Sequence, residues 1–205
     1  MIDLSSPISL KNSFLFPLQN SASRREILMG GLLLLIPILG WLLNLGHRIV
    51  MVHKMQHEMN PWPSWNNWSE LLKHGFITWL GMVYYYSPAV VLFLLGYSLN
   101  NDWLYVLSFI FFLLATIAIP GYMTNYCRNY DRHEILNPYK ALRRMIQGGK
   151  GYWKAWSIAL LALFISLFGF LIFGIGFLFT SVWFWQVAGY SFAVTFTHVH
   201  KLQQS

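Results

Sequence analysis

Seven histidines, at positions 47, 53, 57, 74, 133, 198 and 200, are the side chains best suited to chemistry in this 205-residue sequence. His53 and His57 stand four apart, a spacing that puts two imidazoles on one helix face and lets them share a metal ion. Only Glu58 adds a further ligand type nearby, so the pattern reads as interfacial histidines that meet headgroups. A haem or chlorophyll site needs a His well inside a span, whereas His47 and His198 stand at span ends. His57-Glu58 and His133-Glu134 recur, with Asp131 and Arg132 beside the second pair. Enzymes acting on lipid headgroups use such residues at a membrane surface. The plainer reading, a signature that orients a loop by hydrogen bonds, is preferred. No Gly-Lys-Ser/Thr loop, HExxH or GxSxG occurs. No catalytic residue, metal ligand or cofactor is therefore expected.

The elements that would position these side chains are membrane helices. The chain is 56% hydrophobic, 18% aromatic and 10% charged, with mean hydropathy +0.47, whereas soluble domains carry about 25% charged residues. So few charges cannot cover a soluble surface, which excludes a water-soluble enzyme, a coiled coil, a disordered chain and collagen. The net charge of +7 would raise nucleic acid as a partner of a soluble protein. Here it reads as basic residues gathered on one side of a bilayer, and no nucleic-acid partner is expected. Cys127 is the only cysteine, so no intrachain disulfide can form.

The expected fold class is all-α: a polytopic transmembrane bundle of about five spans. Residues 1–25 read as a polar tail with a short interfacial piece around Phe14, Leu15 and Phe16. The apolar run after it is too long for a signal peptide and lacks a small-residue cleavage site. A single transmembrane domain covers 26–200, followed by a short tail at 201–205. The spans fall at roughly 27–45, 76–95, 103–122, 155–173 and 179–198, the last two joined near Gly174-Ile175-Gly176. Pro37 and Gly40 suggest a kink in the first. One long fourth helix followed by a short amphipathic helix is the alternative for the last two.

Two polar segments look alike: His57-Glu58-Met59-Asn60-Pro61-Trp62 continuing to Gly75, and His133-Glu134-Ile135-Leu136-Asn137-Pro138-Tyr139 continuing to Gly149. Aligning Trp68 with Leu142 also aligns Gly75 with Gly149 and Trp79 with Trp153. This pattern predicts two span, amphipathic helix, span repeats, at about 27–98 and 103–175. In the second surface helix Leu142, Met145 and Ile146 share an apolar arc with Tyr139, opposite Lys140, Arg143 and Arg144, at about 100° per residue. In the first, Trp65 and Trp68 lie on the apolar face, with Ser64 as N-cap. Such helices lie in the headgroup plane, apolar side down. Lys140, Arg143, Arg144, Leu142, Met145, Trp65 and Trp68 are thus the candidate membrane-surface residues, and anionic lipid headgroups the expected partner. Trp183, Trp185 and Tyr190 form a candidate face for a lipid or a partner helix.

The stretch 128–154 carries seven Lys and Arg, whereas the turn at 99–102 carries none. The positive-inside rule makes the first cytoplasmic and the second external. Five spans then leave the N-terminal tail outside, although it holds Lys11, Arg24 and Arg25. If the first span is re-entrant, or the last two are one, the tails change sides.

Ile36-Pro37-Ile38-Leu39-Gly40-Trp41 through Gly46, then Pro63-Ser64-Trp65-Asn66-Asn67-Trp68-Ser69-Glu70-Leu71 and Gly75, resemble a prokaryotic membrane-protein family known as domain of unknown function 4013. The family's second segment typically has acidic residues where this chain has Ser64, Asn66 and Asn67. The segment from Asn137 to Arg144 is similar to surface helices of membrane domains joined to glycerophosphodiester phosphodiesterases. The resemblance implies a prokaryotic inner membrane, or a thylakoid membrane if the source is cyanobacterial. It implies no activity. Three functional readings remain in order: a non-enzymatic accessory or scaffold subunit that binds lipid and other membrane protein subunits, a passive transporter of lipid or a small apolar molecule, and an enzyme on lipid headgroups. Few polar groups fall within the spans, among them Asn44, Arg48, Thr116 and Gln186, which argues against ion-coupled transport. An open, lipid-sized cavity lined by the first four spans favours the second reading, and a flat aromatic face without one favours the first.

Overall fold

A computed structural model describes residue 4 and residues 7–202, with side chains through 197. The side chains of His198 and His200, and the tail beyond 202, lie outside the described residues. Seven α-helices and no strand occur among the described residues: α1 (Leu10–Leu15), α2 (Ser21–Leu33), α3 (Leu39–Gln56), α4 (Trp68–Leu99), α5 (Asp102–Asn129), α6 (Pro138–Leu167) and α7 (Ile175–Leu202). The all-α expectation holds. Four helices, α4 to α7, are long and apolar enough to cross a membrane. At about 1.5 Å per residue, the 32 residues of α4 exceed a hydrocarbon core of about 30 Å. The spans expected at 76–95, 103–122 and 179–198 fall inside three of these four, and the one expected at 155–173 overlaps α6 but runs past its end at Leu167.

The first expected span is divided. α2 stops at Leu33, the chain reverses through residues 34–38, and α3 returns beside α2. Glu26 meets His47 at 2.9 Å, and the Asn44 side-chain amide donates to the Gly30 carbonyl at 3.0 Å. These antiparallel contacts make α2 and α3 a helical hairpin. At its tip Ile38 has φ 63° and ψ −60°, and the Leu39 amide donates to the Pro37 carbonyl at 2.6 Å. This is the rarer, strained form of γ-turn. Pro37 and Gly40, read from the sequence as a kink, mark a reversal instead. A Cβ on Gly40 would run into the Leu33 carbonyl.

α4 and α5 form an antiparallel pair, with Tyr86 bonded to Thr116 at 3.0 Å and Ser108 to the Ala89 carbonyl at 2.7 Å. α6 and α7 form another. Ala155, Ala159, Ala162 and Ser166, all buried, line the α6 side of that seam, the small-residue spacing that lets membrane helices approach closely. Thr180 and Thr195 of α7 cap it by donating to the Ser166 and Gly151 carbonyls. α3 packs on α4 where Gly46 abuts the Leu71 carbonyl and Gly75 abuts the Leu42 carbonyl. The main core, with Met51, Met55, Tyr122, Tyr126 and Val194, fills the end of the bundle that holds the two polar loops.

Of the two expected surface helices, the first is missing as a separate element and the second stands as the first part of α6. α4 begins at Trp68, capped by Asn67, and runs straight into the span. Ser64 instead accepts the Asn66 amide in the preceding loop, so no separate first amphipathic helix exists. The second is set off by Gly149, whose φ of 49° breaks α6. Asn137 caps it, accepting the Lys140 amide at 2.9 Å, with Pro138 at the first turn. The glycines aligned by the repeat thus differ in place: Gly75 sits in a helix crossing and Gly149 at a bend.

Candidate functional site

The second surface helix carries three arcs rather than two. Ala141, Leu142 and Met145 pack on the bundle. Tyr139 and Ile146, 73% and 72% exposed, point outward beside the exposed Lys140 and Arg143. Arg144 turns inward and pairs with Glu134 at 2.5 Å, while Lys140 reaches the same carboxylate at 3.5 Å. Met145 and Arg144, expected at the lipid surface, are therefore packed on protein. Neighbouring elements claim them because the Arg132–Glu134 turn and Tyr152 lie against that side.

Trp65 and Trp68 do not share a helix face. Trp65 leaves the loop to stack on His47, ring centres 4.0 Å apart, and Trp68 is exposed at the start of α4. Trp183, Trp185 and Tyr190 also separate. The Trp183 indole donates to the Phe14 carbonyl at 3.3 Å, and Tyr190 stacks on Phe16 at 4.6 Å. The chain's own N-terminal segment thus covers both, leaving Trp185 exposed on α7.

At the loop end, Tyr130 stacks on His53 at 4.2 Å and on His74 at 4.0 Å. His53 bonds the Cys127 carbonyl at 2.6 Å through Nδ1. Its neighbour His57 bonds the His53 carbonyl, so the two imidazoles are spent on backbone. Burial lowers the His53 pKa against the opposing pull of that carbonyl, and burial raises that of Tyr130. No three His, Cys, Asp or Glu converge on a metal-sized point among the described residues.

The feature that spacing did not reveal is Arg48. It is 8% exposed, in the middle of the hairpin's second helix. The ion pairs among the described residues are His47–Glu26, Lys140–Glu134 and Arg144–Glu134, so Arg48 has no carboxylate. Its guanidinium lies over the Trp185 ring at 4.3 Å and within 3.8 Å of the Met123 sulfur, a weak acceptor. Gln186, next to Trp185, is 3% exposed, and both its side-chain oxygen and nitrogen lack a hydrogen-bond partner. Gln186 lies within α7, one of the four helices long and apolar enough to cross a membrane, so this cluster is polar chemistry enclosed by apolar helices.

Two cavities meet at Arg48 and Trp185. One, about 330 Å³, lies between the hairpin and α7 and is lined by Trp41, Asn44, His47, Ser181 and Gln186 among others. The other, about 290 Å³, lies among α3, α5, α6 and α7 and is almost wholly apolar, with Met123, Trp156, Phe184 and Phe192 in its wall. The Trp156 indole nitrogen is buried without a partner. Arg48 and Gln186 were both legible as polar residues in apolar surroundings. Their meeting was not, because 138 residues separate them.

A family described as Protein of unknown function (DUF4013) matches residues 29–180. The chain belongs to this family. The matched stretch runs from the middle of α2 into the first turns of α7, so it contains Arg48 and the hairpin tip and stops before Trp185 and Gln186. No curated protein and no solved structure matches the chain. The four long apolar helices suggest a multi-pass membrane protein, and the family to which it belongs has no assigned function.

Proposed function

We propose that the protein binds a lipid-sized amphiphile within the bilayer and carries out no covalent chemistry on it. The observation that carries this reading is the pair of cavities that share Arg48 and Trp185 in their walls, among the long apolar helices. Each stands at the small end of ligand pockets, which run from about 300 to 1,000 Å³, and joined they are well within that range. Exposed Trp41 and Trp185 stand at the rim, where the surroundings are acyl chains, so a ligand enters sideways from lipid. A passive lipid path fits this arrangement better than a scaffold with a flat aromatic face, because the aromatic face expected at Trp183 and Tyr190 is covered by the N-terminal segment.

The basic end of the bundle is proposed to face the cytoplasm. The helical hairpin brings the segment with Lys11, Arg24 and Arg25 to the same end as the loops, so all Lys and Arg except Arg48 belong to one side, as the positive-inside rule favours.

The test is purification in mild detergent followed by native mass spectrometry. A single lipid retained per chain is the expected result. A chain that flies without any lipid, or that brings down a stoichiometric membrane protein in its place, overturns the reading in favour of the accessory subunit.

A further inference from the structure

We propose that Arg48 and Gln186 hold the anionic head of the amphiphile, a carboxylate or phosphate oxyanion, while its acyl tail lies in the apolar cavity beside Met123, Trp156 and Phe184. This rests on the binding function above and names the ligand's chemistry.

The argument starts from a charge with no reason to be there. A cation enclosed among membrane helices is costly. Such residues persist where they pair or meet a ligand. Arg48 pairs with no carboxylate among the described residues: Glu26, the acid of the same hairpin, is taken by His47. A sulfur and a ring face occupy Arg48 only in part, so most of its five N–H donors remain for a planar or tetrahedral oxyanion, which a guanidinium grips with two parallel bonds. Gln186 is a second, independent sign. A buried amide with neither end satisfied is rare, and this one lines the same cavity as Arg48. Asn44 adds nothing, since its amide is committed to the Gly30 and Gly40 carbonyls.

The tail follows from the other cavity. Arg48 borders both, so an oxyanion on its guanidinium sits at the entrance to a compartment walled by methionine, tryptophan and phenylalanine. A free inorganic anion would leave that compartment empty. An acyl chain fills it.

The experiment uses the full chain in nanodiscs with a palmitate analogue carrying a mid-chain diazirine. Its methyl ester serves as the neutral probe, and unlabelled palmitate, acetate and inorganic phosphate as competitors. Saturable crosslinking near Met123 and Trp156 is expected, displaced by palmitate and by neither small anion. The ester should bind at least tenfold more weakly. Arg48→Met should lose binding by a similar factor, with Arg48→Lys in between. Arg48→Met should also raise the unfolding midpoint of the lipid-stripped protein, because it removes an unpaired buried charge.

Equal labelling by acid and ester, untouched by Arg48→Met, overturns the anionic head and leaves the binding function standing. Displacement by acetate or phosphate as effectively as by palmitate overturns the amphiphile in favour of a free anion. A midpoint that falls in Arg48→Met makes Arg48 structural and overturns its role in recognition. Absence of saturable labelling by either probe overturns the binding function as well.

Discussion

Gly46 carries no side chain because the Leu71 carbonyl occupies the place where a Cβ would stand. Gly46→Ala must push α3 from α4, and overpacking of this kind costs about 1–3 kcal/mol. The thermal midpoint in detergent should fall, whereas Gly151→Ala, whose new methyl meets only Thr195 at ordinary distance, should not lower it. His53 gives the protein a pH dependence. Burial holds its folded pKa below the ordinary 6.5, so the unfolded chain takes up the proton first. Its contribution is whole above pH 6.5 and is lost as pH falls from there through the lowered folded value. Midpoints measured between neutral and mildly acidic pH should decline, and His53→Gln should flatten that decline. An unchanged slope in the variant would assign it to another group.

The hairpin tip and the bent helix α6 carry the tests at the scale of elements. Ile38 is 76% exposed and sits at a φ that β-branched residues avoid, a strain of about 1–3 kcal/mol. Ile38→Gly loses little packing and should gain about 1 kcal/mol after the extra flexibility of glycine is counted. A lower midpoint would mean that the exposed Ile38 side chain holds the tip through contacts with lipid. On the surface helix, Met145→Cys should be protected from a water-soluble maleimide in vesicles of any lipid charge, because Met145 packs against the α6–α7 core. Ile146→Cys should be protected only while Lys140 and Arg143 hold the helix against anionic lipid, at about 1 kcal/mol each. Replacing both by Glu should expose it. If Ile146→Cys ignores lipid charge, the helix is held by protein contacts alone.

For the molecule as a whole, the hairpin decides sidedness. Cysteines at Arg24 and Gln147 should label from one side of the membrane and a cysteine at Asn101 from the other; a single straight span at 27–45 would put Arg24 with Asn101. The four long apolar helices were legible because each holds a stretch nearly free of charge and close to the length that a bilayer needs. The reversal at 34–38 was legible only as a kink: Pro37 and Gly40 announce a break without giving its angle, and the γ-turn at Ile38 depends on α2 and α3 touching. Periodicity put Tyr139 and Ile146 on one apolar arc with Leu142 and Met145 but could not foresee that Glu134 would draw Arg144 in, because that pairing depends on the turn at Arg132–Glu134. The Arg48 site was illegible for the same reason at longer range. Cavities form between elements, and no spacing along one helix records which residue of a distant helix will close them.

The hairpin also constrains the order in which the protein is built. α2 rests on the last helix, with Gly30 against Val182 and Gly31 against Phe179, contacts about 150 residues apart in the chain. The segment made early can lean on α3 at once, but its other side has no partner until the segment made last has arrived. During synthesis the face of α2 that holds Gly30 and Gly31 stays uncovered, and it is closed only after α7 is in place. A chain truncated before α7 should leave α2 open to protease at the basic end of the molecule, while the same site in the full chain is shielded. Maturation would then be a late, post-insertion event, with the cavity at Arg48 closing in the same step that seats the hairpin.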